Sequence, residues 1–138
     1  MSAAVLAAAI ALTPMSSVTA AAEVPQTLHS FQHCVAQRES HGNYLAKGDQ
    51  SSARGKYQFL DRAWRHGLSF MVAARLVKFG MSSANAHKIR VHLQSISIDR
   101  WEPMLQEIAF AAVVSASPRG WRHWYITGSK CNALAGKR

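Results

Sequence analysis

Leu28-His29-Ser30-Phe31-Gln32-His33-Cys34-Val35-Ala36-Gln37-Arg38-Glu39-Ser40-His41-Gly42 is the stretch on which the reading of the fold turns. Leu28, Phe31 and Val35 share one helical face, with Cys34 beside them. Glu39 lies four residues past Val35 and extends that face. Gly42 suits a helix C-terminal stop. The segment therefore predicts an amphipathic helix whose last turn carries a carboxylate. The negative end of the helix dipole disfavours a second negative charge there. Desolvation on an apolar face acts in the same direction, while neighbouring Arg38 and His41 oppose it. A carboxyl group that keeps its proton is what a general acid for glycoside cleavage requires.

Outward from this helix, Asn43 to Gly55 is rich in Gly, Ser, Asn and Asp and reads as a loop with room for a small hairpin. Tyr57, Phe59 and Leu60 form a short apolar patch. Asp61 is expected to cap a helix beginning near Arg62. Trp64, Leu68, Met71 and Val72 continue that helix, and Gly80 ends it. Ser82 or Ser83 caps a further helix carrying Ile89, Leu93 and Ile96. Pro103 opens a last helix with Leu105, Ile108, Ala109 and Ala112 as its buried stripe. Pro118-Arg119-Gly120 breaks it, before Trp121 and Trp124-Tyr125. The expectation is a mainly α, compact helical domain with a cleft and at most a small hairpin.

Met1 to Ala22 contains no charged side chain. An apolar run from Ala3 to Leu12 precedes Thr13-Pro14 and the small residues Val18 to Ala22, the order of a secretory signal peptide. Residues 1–22 are thus expected to be a leader, and 23–138 a single domain. Export implies a secreted or wall-bound protein. The chain of 138 residues carries 16 Lys+Arg against 7 Asp+Glu, a formal net charge of +9. All of that charge lies past the leader. Such a surface attracts polyanions. The 49% hydrophobic content excludes a mainly disordered chain. Two cysteines allow at most one internal bridge. A Cys34–Cys131 disulfide would close a long loop, and on the chain-entropy model contributes about 4–5 kcal/mol.

At this point the residues reach a family. Cys34-Val35-Ala36-Gln37-Arg38-Glu39-Ser40 is followed by His41-Gly42-Asn43-Tyr44, then by Ser51-Ser52-Ala53-Arg54-Gly55-Lys56-Tyr57-Gln58-Phe59-Leu60 and Trp64. This pattern resembles the lysozyme-like transglycosylase superfamily, nearest its resuscitation-promoting-factor branch and related secreted wall-lytic domains. Gln106-Glu107, Ala109-Phe110, Gly120 and His123-Trp124-Tyr125 are similar to the closing part of such domains. The chain departs from the pattern at His41, where many members have glycine, and in its basic middle segment.

The resemblance implies an α+β lysozyme-like fold and cleavage of peptidoglycan glycan strands by a lytic transglycosylase. It casts Glu39 as the acid/base, with Ser40, Tyr57, Gln58 and Tyr125 on the substrate and no cofactor or metal. A monomer is expected. The alternatives are a lysozyme-type hydrolase with a second carboxylate, or a non-catalytic basic wall-binding or signalling module. Asp49 and Asp61 are the nearby acids for hydrolysis; Glu102 and Glu107 lie farther along. Each has a plainer reading, and Glu107 reads as a structural or buried hydrogen-bonding partner.

Other constellations are weaker. His29 and His33 have helical ligand spacing, but no His-Glu-x-x-His sequence supports zinc. Cys34 is better used in a bridge than as a nucleophile. Arg65, Arg75, Lys78, Lys88 and Arg90, interleaved with Phe70 and Phe79, suit nucleic acid or an anionic membrane, or simply a solvated basic face. The last is the expectation. With export, anionic cell-wall polymers are the natural electrostatic partners, and specific nucleic-acid binding is not expected.

Overall fold

The computed structural model describes residues 26–116 together with Trp124, Lys130 and Cys131. The leader reading of residues 1–22 and the Tyr125 assignment lie outside the described residues. In chain order the elements are α1 (Gln26–Ser40), β1 (Ala53–Arg54), β2 (Phe59–Leu60), α2 (Asp61–Lys78), α3 (Ser83–Ser95), a short 3-10 turn (Ile98–Arg100) and α4 (Pro103–Ala116). The mainly helical expectation holds, and so does the small hairpin. Its strands pair antiparallel, with Ala53 opposite Leu60 and Arg54 opposite Phe59.

The core is built around α4. Leu105, Gln106 and every residue from Ile108 to Val114 are buried. A helix that is apolar all round must be surrounded by protein. Phe31 and Val35 reach it from α1, Tyr57 and Phe59 from the hairpin, Leu68 and Val72 from α2. Tyr57 stacks on Phe110 at 4.3 Å between ring centroids, and Trp124 lies 4.9 Å from the same ring. Such pairs contribute roughly 0.5–1.5 kcal/mol beyond the area they bury. The Trp124 indole also donates to the Tyr57 carbonyl at 2.7 Å.

α2 and α3 pack as an antiparallel pair joined at Phe79–Ser82. Gly80, at φ 113°, makes the turn, and Met81 N–H donates to the Leu76 carbonyl. Ser82 then caps α3 by accepting from Asn85 N–H at 3.2 Å. Ile96 lies beyond α3 in extended backbone. The Trp101 indole N–H explains this end, because it donates to the Leu93 and Ile96 carbonyls.

Asp61 requires a correction. It is the first residue of α2, and the cap position is Leu60, with no side-chain cap bond. The Asp61 carboxylate is used elsewhere: it accepts from the Arg65 guanidinium and from Ile98 N–H at 2.9 Å. Long-range demand outweighs a local cap here, because the buried N–H of the 3-10 turn has to be satisfied. Cys34 and Cys131 form a disulfide, with Cα atoms 5.8 Å apart, as expected.

Candidate active site

The site is assembled where the end of α1 meets the hairpin. The α1 terminus is closed by His41 N–H on the Gln37 carbonyl and Gly42 N–H on the Ala36 carbonyl. His41 and Gly42 both take positive φ, 54° and 80°, which turns the chain sharply away after Glu39-Ser40. Ser40 then reaches across: its hydroxyl donates to the Lys56 carbonyl at 2.7 Å.

The hairpin turn Gly55–Gln58 is gripped from the other side by Gln106. The Gln106 side chain is fully buried. Its Oε1 accepts from Lys56 N–H at 2.9 Å, and its Nε2 donates to the Tyr44 and Trp101 carbonyls. Both backbone groups of Lys56 are therefore held by side chains, one from α1 and one from α4. Gly55 permits this approach. Its φ is 81°, and a Cβ there would sit 2.5 Å from Gln106 Oε1. Gln58 also has positive φ, 51°, and its Nε2 donates to the Gly55 carbonyl, closing its own turn.

Glu39 stands at the end of this assembly. It is half-buried, and its carboxylate makes no hydrogen bond or ion pair with a described residue. The other acids differ. Asp61 is committed as above. Asp99 is buried, within 3.8 Å of Arg54 and 4.0 Å of Lys47. Asp49 and Glu102 are exposed.

Glu107 is the most heavily used acid among the described residues. It accepts from Gln32 and Tyr57 on Oε2, at 2.5 Å each, and from Tyr44 and Lys56 on Oε1, at 2.7 and 2.6 Å. The expected bonding role for Glu107 fits this placement. The cluster alters its members. Burial opposes charge on the Lys56 ammonium, but Glu107 and Tyr44 outweigh burial and raise its pKa. Burial, reinforced by Glu107, raises Tyr44 and drives the Tyr57 phenol far above the usual tyrosine range. For Asp61, burial acts upward, yet Arg65 and the Ile98 N–H prevail and hold its carboxyl below the usual range.

The structure thus sets the end of α1, which carries Glu39, against the Gly55–Phe59 turn through Ser40. It does not give Tyr57 a surface: the residue is 0% exposed, its ring in the core and its hydroxyl on Glu107. The direct substrate contact expected of Tyr57 does not fit this placement. Trp124 is likewise a core residue, and Trp64 lies at the surface of α2. The residues missed from sequence are Gln32, Tyr44, Lys56 and Gln106, which fix the turn. Their available signal was Gln106-Glu107 inside an otherwise apolar helix, since buried polar groups need partners. Among the described residues no three His, Cys, Asp or Glu side chains gather as a metal-ligand set. Compared with protein-family models, curated proteins and solved structures, the chain matches none.

Proposed function

We propose that the protein is a peptidoglycan-cleaving glycosidase, a lytic transglycosylase that uses Glu39 as its acid/base. One observation carries the reading: Glu39 is a partly buried carboxylate, unengaged among the described residues, at the helix end against which the Gly55–Phe59 turn is clamped. No described residue holds this carboxyl group, so in this reading it exchanges its proton with a ligand. Two non-glycine residues in the left-handed region, His41 and Gln58, fall in the same two segments. Backbone strain of this kind concentrates at functional sites. The resemblance in sequence to wall-lytic domains rests on the same residues.

In this mechanism Glu39 first donates its proton to the oxygen of the β-1,4 bond that follows N-acetylmuramic acid, and that bond breaks. The sugar's N-acetyl oxygen stabilises the positive anomeric carbon. The Glu39 carboxylate then takes the proton of the C6 hydroxyl as its oxygen attacks that carbon. A 1,6-anhydromuramoyl end results, and Glu39 regains its proton. No second protein carboxylate is required. The hydrogen bonds that hold Asp61 and Glu107 on protein partners favour this over hydrolysis. Ser40 positions the turn, and Gln58 contributes its carbonyl oxygen from the turn's rim. In this reading the protein is exported and acts at the cell wall, where its positive charge holds it on anionic polymers.

Glu39→Gln is the deciding variant. It is expected to lower glycan-strand cleavage at least about a hundred-fold, the scale of lost general acid catalysis, while its thermal unfolding stays close to that of the parent. Mass spectrometry of released muropeptides separates the alternatives. Anhydro ends support transglycosylation, whereas reducing ends mean hydrolysis. No release by the folded parent protein favours a wall-binding module instead.

A further inference from the structure

The middle of the solvent face of α2 is a strip of Ala63, Gly67, Phe70, Ala74 and Val77, spaced alternately by four and three residues and all exposed. A soluble helix commonly places charge along the middle of that face; this one carries its exposed charges, Arg62 and Lys78, only to the sides of the strip. Phe70 is 47% and Val77 40% exposed. Gly67 has no internal reason to be glycine, because a Cβ there would meet nothing within 4 Å.

The surroundings are one-signed. From Arg62 through Ile98 the chain contains no Asp or Glu. Arg62, Lys78 and Lys88 are exposed. Arg90 reaches from α3 to lie 4.2 Å above the Phe70 ring, His66 lies 5.1 Å from that ring, and the Arg90 guanidinium donates to His87. An apolar strip is therefore rimmed by cations with no acid among them.

This combination selects the occupant. A second copy would oppose the same positive rim. A hydrated polyanion offers charge but no hydrocarbon for Phe70 and Val77. A partner helix needs the groove between α2 and α3, which Arg90 fills by stacking on Phe70. An anionic bilayer supplies both headgroup charge and an apolar layer for shallow insertion. We propose that the α2–α3 face is a docking surface for anionic lipid, with Phe70 entering the headgroup region and Lys78, Lys88 and Arg90 on lipid phosphates. The proposal is independent of Glu39 and of any glycan chemistry.

The test is co-sedimentation of the full chain with phosphatidylglycerol-containing vesicles and with pure phosphatidylcholine vesicles, at about 0.1 M salt. Phe70→Ser and Lys88→Gln are compared with the parent, all with Met1–Ala22 in place so that this apolar segment contributes equally. The parent is expected to bind anionic vesicles and to bind phosphatidylcholine much less. Phe70→Ser should weaken binding about ten-fold and Lys88→Gln about five-fold. Circular dichroism confirms that the variants are folded. Equal binding by parent and Phe70→Ser overturns the proposal, as does equal binding to both vesicle types. Complete displacement by soluble polyphosphate, with Phe70→Ser unaffected, would make the face a plain polyanion site and also overturn it.

Discussion

His41 holds φ at 54°, where the Cβ of an L-residue crowds the following carbonyl. It follows the residues that carry the candidate acid and its positioning hydroxyl, so this strained turn sets the direction in which the chain leaves Glu39-Ser40. Glycine at this place relieves the crowding but loosens the unfolded chain. His41→Gly is therefore expected to raise stability by about 1 kcal/mol net, read from urea unfolding. A stability unchanged or lowered would show that the imidazole makes a compensating contact. For single residues, the sequence shows a carboxylate and a serine at the end of a helix stopped by Gly42, and the structure has them there. The close approach at Gly55 was not legible, because it depends on buried Gln106. Nor was the placement of Tyr57. An alternating aromatic and polar run does not say which ring enters the core, and the stack on Phe110 decided that.

Among the elements, α2 shows how local preference and solvent exposure can part company. Gly67 sits mid-helix with open space around it. Gly67→Ala should raise stability by about 1 kcal/mol in thermal or urea unfolding, since alanine loses less backbone entropy and no neighbour is displaced. The Glu107 cluster, which ties α1, the Tyr44 loop, the hairpin turn and α4 together, gives a pH prediction. Lys56 has a folded pKa above its ordinary 10.5, and Tyr44 and Tyr57 lie above their ordinary 10.0. Their contribution is fully present below those ordinary values. Above pH 10 or so, the unfolded chain sheds these protons while the folded one retains them, so stability falls as pH rises. Asp61 gives the opposite limb: its contribution is present above the ordinary 3.8 and is lost as pH falls through its lower folded value. Melting temperature against pH should decline on both sides, and Tyr57→Phe should make the alkaline decline shallower. The helices themselves were legible from apolar periodicity, and the α3 cap from residue type as one of two serines, Ser82 or Ser83, of which the structure uses Ser82. The ends set by tertiary contacts were not: Asp61 answers to Ile98, and the end of α3 answers to Trp101.

For the whole molecule, the disulfide is the longest-range constraint among the described residues, with a sequence separation of 97. Breaking it with a reductant, or by Cys34→Ser, is expected to cost about 4–5 kcal/mol through the added entropy of the unfolded chain. Comparing urea midpoints with and without reductant measures this. The pairing could be read from sequence because two cysteines leave one internal choice. The positive charge was equally legible, but its meaning changes with the fold. It is divided between cations consumed by Asp61, Asp99 and Glu107 and cations left on the α2–α3 surface. Periodicity identifies both helices without saying which face would remain uncovered.

The Cys34–Cys131 bond has one more consequence, and it concerns damage. The hairpin, α2, α3 and α4 all lie between the two cysteines. A protease that cuts one exposed loop in that span leaves an open ring, not two separate pieces. The segments on either side of the nick stay tethered and can remain docked around α4. Survival of a first cut is a form of durability distinct from resistance to unfolding.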